Sequence, residues 1–161
     1  MSWTYKSQKI GDISQFPANT YGFVYIVTHK PSGKAYIGKK VLYFTKKVKI
    51  GKKELAKLEG VVGRRPAYKL AVKESDWLNY YGSHKEIKQL LTENKQNEFQ
   101  KTILKCVPSK KLLTYFEVKY QMIYQVLEKP DEFFNDNVLG KFYSKDFGEI
   151  EFEDFLENEK Q

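Results

Sequence analysis

Apolar positions gather into two short runs near the start of the chain. Residues 22–28, GFVYIVT, and 34–38, KAYIG, are rich in β-branched and aromatic side chains and predict two strands. Pro31 suits the second position of an intervening type I turn and Gly33 the fourth, so the pair reads as a hairpin. The pattern then breaks. Over 39–74, lysines stand at 39, 40, 46, 47, 49, 52, 53 and 57, glycines at 51, 60 and 63, and Pro66 follows two arginines. That composition predicts an irregular basic insertion, with room for a short ribbon at KVLYFTKKVKI.

Regular patterning resumes after Gly82. HKEIKQLLTE, 84–93, predicts a short helix, and FQKTILKCV, 99–107, a third strand. Ser109 is placed to cap a long helix over 109–128 that Pro130 stops. The end, FGEIEFEDFLENEKQ, fits either an acidic amphipathic helix with Phe152, Phe155 and Leu156 on one side or a frayed tail. The order β-β-insertion-α-β-α predicts a small α+β domain, a three-stranded antiparallel sheet flanked by helices. It spans residues 1–145, and an acidic tail follows over 146–161.

Length and composition narrow the class. At 161 residues with 41% hydrophobic side chains, the chain is long enough for one domain with its own core. One cysteine, Cys106, and two histidines, His29 and His84, exclude an intrachain disulfide and barely furnish a zinc site. The start lacks an apolar leader and no run reaches the ~20 apolar residues of a membrane span, so the expectation is a cytoplasmic protein with no membrane partner. The charge is more telling. The formal net charge is +8, yet residues 146–161 hold seven carboxylates against Lys160, which leaves a net +14 on the preceding 145 residues. Such a body favours a polyanion, nucleic acid first, over a lysine surface kept for solubility.

Alternation along the hairpin puts Phe23, Tyr25 and Val27 on one side of the first strand, and Tyr36 with Gly38 on one side of the second. The right register brings both phenols onto one face; a slip of one residue separates them. Each tyrosine alone is more often sheet packing than a catalyst, because a phenol with a pKa of about 10 is a poor base at neutral pH. Lys39 and Lys40, just past Gly38, could favour the ionised form. Farther on, Glu117 shares a helix face with Leu113, Tyr120, Gln121 and Tyr124, where a carboxylate needs a partner: a lysine such as Lys110 or Lys119, or a metal ion.

Phe23-Val24-Tyr25, then ten residues, then Tyr36-Ile37-Gly38 resembles the GIY-YIG nuclease motif, with its usual eleven-residue step between tyrosines. SDWLNYYGSHKEIKQLL, 75–91, is similar to the segment after the insertion in small phage-encoded, homing-type members. Glu117 falls where the family places its metal-binding glutamate, and FFN, 133–135, makes Asn135 the matching asparagine. The resemblance covers residues 22–135. It implies a Mg²⁺- or Mn²⁺-dependent DNA endonuclease without a small-molecule cofactor. In that role Tyr25 positions or deprotonates the attacking water, Tyr36 supports it, and Glu117 holds the metal.

Two departures stand against the family pattern. Phe23 replaces the opening glycine, with Gly22 one place earlier. The arginine expected about ten residues after the second tyrosine falls on Lys46, so either Lys46 or Arg64 or Arg65 neutralises the phosphate. The remaining candidate DNA contacts are Lys39, Lys40, Lys47, Ser83, His84 and Asn135. His84 also fits a structural helix start, and Asn135 an orienting role for the hairpin. His29, at the turn, is expected to be exposed, and Cys106 to lie in the core. Rival readings are a DNA-binding descendant of the same fold without catalysis, and a basic nucleic-acid or host-factor binding protein in which the tyrosines fill the sheet.

Overall fold

The computed structural model describes residues 2–57 and 68–153. They divide into two units, residues 1–42 with 76–161 and residues 43–75. In the larger unit, β1 (Trp3–Tyr5), β2 (Gln8–Ile10), β3 (Gly22–His29) and β4 (Ala35–Val41) come before the second unit. The second unit holds β5 (Tyr43–Lys49), a five-residue helix α1 (Lys52–Ala56) and β6 (Tyr68–Glu74). The larger unit resumes with α2 (Lys85–Thr92), β7 (Phe99–Val107), α3 (Lys110–Ile123) and a small hairpin of β8 (Asn137–Val138) and β9 (Phe142–Tyr143).

The fold is α+β, but its sheet has five strands, in the order β2-β1-β7-β3-β4, where the sequence predicts three. The three expected strands are its β7-β3-β4 side, all antiparallel. The addition comes from the N-terminus: β1 runs parallel to β7 and antiparallel to β2. These strands escape pattern reading because each has three residues and because their two-residue turn is Lys6-Ser7, both at positive φ (46° and 66°). Such a turn ordinarily announces itself by Asn-Gly or Asp-Gly.

β3 lies in the interior of the sheet, and both its faces are covered. Phe23, Tyr25 and Val27 join Trp3, Trp77, Ile87 and Phe99 on one side. Val24 joins Ile37, Val107, Leu113 and Val126 under α3 on the other. This double burial accounts for an unbroken apolar run where a half-exposed strand would alternate.

Three local expectations are corrected. The hairpin turn is one residue wider than a type I turn, since the amide of Gly33 donates to the carbonyl of His29 and Gly33 takes φ +72°. His29 is buried rather than exposed: its ring bonds Ser32 Oγ at 2.7 Å and Glu98 Oε2 at 2.9 Å and packs on Phe99. The long helix stops at Ile123, short of Pro130. Gln125 takes φ +54°, the amide of Val126 returns to the carbonyl of Gln121, and that of Gln125 returns to Met122. This is a Schellman stop made without glycine. Cys106 is half-buried in β7, and burial pushes its thiol up to about 11.

Lys101 is the unusual interior charge. Its side chain lies between the rings of Trp3 and Tyr81, donates to the carbonyl of Leu78, and is 2% exposed. Burial lowers its pKa to about 8, while in the unfolded chain a lysine titrates near 10.4. Between those values the unfolded state binds the extra proton, so stability rises with pH over that window. Urea unfolding of the wild type from pH 7 to 10.5 should show this rise, and Lys101→Met should flatten it.

Candidate active site

The hairpin register sets the phenols. Tyr25 pairs with Gly38 and Val27 with Tyr36, so the two tyrosines are diagonal neighbours on one face, with ring centroids 6.4 Å apart. Gly38 lies between them. A Cβ there would stand 2.5 Å from the Tyr25 hydroxyl and 2.9 Å from the Tyr36 ring, so only a bare backbone admits both rings. Gly82, at φ +112°, approaches Tyr36 from the loop before α2, again without room for a side chain.

A hydroxyl chain links this face. Tyr25 is hydrogen-bonded to Tyr80, Tyr80 to Ser83, and Ser83 Oγ lies 3.2 Å from the Tyr36 hydroxyl. All three phenols titrate above the ordinary value. Tyr25 lies well above it, through burial first and then its neighbours Tyr80, Tyr36 and Glu117. Burial is also the main cause at Tyr36 and Tyr80. The expectation that Lys39 and Lys40 favour the phenolate is therefore reversed, because carboxylates already hold both ammonium groups. Lys39 Nζ lies 3.3 Å from Glu117 Oε1 and donates to Thr114. Lys40 Nζ lies 2.6 Å from Asp76 Oδ1 and 3.9 Å from the centre of the Tyr80 ring.

β4 is the edge strand, and its two sides serve different neighbours. Tyr36, Gly38 and Lys40 face the tyrosine cluster; Ile37 and Lys39 face α3. A cleft of about 400 Å³ wraps this edge, lined by Tyr36, Ser83, His84 and Lys85 from one side, Glu117 and Gln121 from α3, and the segment 135–137 with Leu139 and Gly140. Tyr36 and Glu117 thus meet in one cleft. Tyr25 is 1% exposed and does not line it; it reaches the cleft only through its ring contact and the hydroxyl chain.

Asn135 is 5% exposed and serves the backbone rather than a phosphate. Its Oδ1 accepts from the amide of Ile37 at 3.0 Å and its Nδ2 donates to the carbonyl of Ile37 at 2.8 Å, as a neighbouring strand would. Gln121 Nε2 donates to the same carbonyl at 3.0 Å. Of the two roles open to Asn135, its geometry is that of the orienting one. His84 caps α2 through Nδ1, presents Nε2 to Asp136 at 3.5 Å and packs on Tyr36 and Phe134. Ser83 and His84 reach the cleft; Lys46 and Lys47 belong to the β5–β6 unit, and Arg64 and Arg65 fall outside the described residues.

Tyr80, Asp76, Gln121 and Lys85 have no part in the site that the sequence predicts. Gln121 sits one helical turn beyond Glu117 on the same face, which was the available signal. Its Oε1 is buried without a hydrogen-bond partner. Burial also pushes the Glu117 carboxyl up, against the opposing pull of Lys39. A carboxylate and an orphaned amide oxygen one turn apart are hard oxygen donors, so these residues fit Mg²⁺ or Mn²⁺ carrying several waters. Among the described residues no group of three or more His, Cys, Asp or Glu that could hold a metal ion comes together.

The family model described as "Putative endonuclease segE, GIY-YIG domain" matches residues 3–138. This chain belongs to the GIY-YIG endonuclease family, in its segE branch. No curated protein and no solved structure matches the chain. The family match takes in both N-terminal strands, the two tyrosines, Glu117 and Asn135. It places the chain among a family of endonucleases. Among the described residues no helix is long and apolar enough to cross a membrane.

Gly38→Ala tests the packing of the GIY-YIG motif. The added methyl must displace the Tyr25 hydroxyl or the Tyr36 ring, so a loss of about 1–3 kcal/mol is expected, read by urea unfolding. Tyrosine near-UV circular dichroism should change with it.

Proposed function

We propose that this GIY-YIG protein is a divalent-metal-dependent endonuclease that hydrolyses phosphodiester bonds in DNA. The observation that carries the reading is the meeting of the Tyr36 hydroxyl and the Glu117 carboxylate in one polar cleft at the edge of β4. A bound Mg²⁺ or Mn²⁺ would supply Lewis-acid stabilisation of the phosphate oxygens. Glu117 would hold it in place of its present contact with Lys39.

The phenols then act as donors rather than bases. With its pKa raised, Tyr36 stays protonated at neutral pH and orients a water or a non-bridging oxygen, steadied by Ser83. Tyr25, deeper and higher in pKa, anchors the chain through Tyr80. In the hydrolysis a water oxygen bonds to phosphorus as the bond to the leaving sugar oxygen breaks; the water gives up a proton to bulk solvent and the leaving oxygen takes one up from solvent, so that a phosphate monoester and a sugar hydroxyl result. Lys85, in the first turn of α2, supplies positive charge to the cleft, where preorganised donors stabilise the charge that develops on phosphate. That role fell to Lys46, Arg64 or Arg65 in the sequence reading; Lys85 is the cation that lines the cleft itself. The lysines Lys39, Lys40 and Lys47 add backbone attraction that weakens with salt.

Plasmid nicking in Mn²⁺ tests the assignment. Glu117→Ala should lower the rate on the order of 10²–10³-fold and leave salt-dependent DNA binding in place. Equal cutting by the two proteins would refute the site, and a wild type that binds DNA but cuts with neither Mg²⁺ nor Mn²⁺ would establish the non-catalytic descendant instead.

A further inference from the structure

The second unit is a ribbon with an unusual surface. β5 and β6 pair antiparallel over seven positions, from Tyr43↔Glu74 to Lys49↔Tyr68. Directly opposite residues share a face and alternate residues change face. One face therefore carries the cross-strand pairs Tyr43–Glu74, Thr45–Val72, Lys47–Leu70 and Lys49–Tyr68, its carboxylate at one end. On it Tyr68, Leu70 and Val72 are 60%, 67% and 64% exposed. The other face carries Lys46 and Lys73, and Lys69 held to Glu54 of α1 at 2.6 Å. The two strands together hold five lysines against Glu74.

Three large apolar side chains in a row, each more than half exposed, are uncommon on a surface without a partner. A lone two-stranded ribbon is also marginal in water. The interleaving of these residues with lysine narrows the partner. A lipid surface or an apolar protein face would leave Lys47 and Lys49 desolvated beside Leu70 and Tyr68. A groove walled by phosphates and floored by base edges suits both kinds of side chain.

We propose that this face of the β5–β6 ribbon seats in the major groove of duplex DNA, an extension that rests on the DNA reading of the cleft. The dimensions agree. Two strands about 4.8 Å apart with their side chains match a groove about 12 Å wide that admits a two-stranded ribbon. Seven residues extend roughly 20 Å, a little over half of a ~34 Å helical turn. Lys47 and Lys49 reach phosphates or the acceptor edge of guanine, while Leu70 and Val72 meet thymine methyl groups. The ribbon thereby gives the enzyme its preference for one duplex sequence over another. A-form RNA, whose major groove is too narrow for side chains, is excluded.

The test uses the full chain carrying Glu117→Gln, so that DNA is bound and not consumed, with fluorescence anisotropy on a 30-base-pair duplex as the readout. Methyl green, a major-groove ligand, should displace the protein, and netropsin, a minor-groove ligand, should not. Lys47→Gln with Lys49→Gln should weaken binding at least tenfold and lower the salt slope by about two. Leu70→Ser, at an exposed site that leaves the fold intact by circular dichroism, should weaken binding severalfold with the slope unchanged, and duplex RNA should compete poorly. The proposal is overturned by competition from netropsin alone, by equal competition from duplex RNA, or by unchanged affinity in Leu70→Ser. It is also overturned if Leu70→Ser converts a dimer to a monomer, because a second copy then covers this face. These readouts are independent of cleavage. A wild type that cuts DNA while Leu70→Ser binds normally sinks the ribbon proposal alone; a wild type that binds as described but never cuts sinks the nuclease reading alone.

Discussion

The backbone of Ile37 is the point on which the candidate site turns. β4 is an edge strand, and an edge leaves amide and carbonyl groups without ladder partners. At Ile37 both groups are met by side chains: Asn135 takes the amide and the carbonyl, and Gln121 donates to the carbonyl as well. The consequences run in both directions along and across the strand. Tyr36 and Gly38, on either side of Ile37, are held in the pleat that points them at the tyrosine cluster. α3 is fixed against the edge through Gln121, and Glu117 comes with it, one turn earlier. A hydroxyl on one face of the strand and a carboxylate on a separate helix thus meet in a single cleft because of three side-chain-to-backbone bonds. Removing such partners leaves buried backbone groups unsatisfied, at about 1–3 kcal/mol each.

The electrostatics of the cleft follow from burial more than from the basic composition of the chain. A body with a net charge of +14 suggests phenols bathed in positive potential, yet the ammonium groups of Lys39 and Lys40, just past the motif, are already engaged by carboxylates. Lys39 opposes the burial of Glu117, and Lys40 holds Asp76 while lying over Tyr80. Desolvation therefore dominates, and the tyrosines remain neutral donors.

Much of the frame was legible in the amino-acid pattern, and the failures have particular causes. Residues 22–28 and 99–107 are apolar runs long enough to outvote other readings, and the register that sets Tyr25 opposite Gly38 puts Tyr25 and Tyr36 on one face, a choice the spacing alone left open. Ser109 marked the start of α3 as its cap. The N-terminal strands were hidden by a Lys-Ser turn that adopts positive φ without the customary glycine or asparagine. The end of α3 was hidden by Gln125 doing the same. His29 looked exposed because turns are polar, but Glu98, 69 positions away, satisfies its ring. Tyr80 and Gln121 were missed for one reason: their roles depend on partners that only the tertiary structure brings within reach.

The burial of Tyr25 bears on what the first tyrosine of the motif contributes. A phenol that is 1% exposed, with carboxylate and phenol neighbours and a pKa well above 10, has no route to act as a base near neutrality. Its hydroxyl nonetheless needs a partner, since an unpaired polar group in an apolar core is costly. Tyr80 is that partner, and through Ser83 the same chain reaches the hydroxyl of Tyr36. Substituting phenylalanine at Tyr25 would keep the packing and break the chain at its buried end, leaving Tyr80 free to turn and Tyr36 steadied by Ser83 alone. The first tyrosine is then best understood as the fixed end of a hydrogen-bond line whose other end, at the cleft, is the second, with Gly38 as the gap through which the two rings approach.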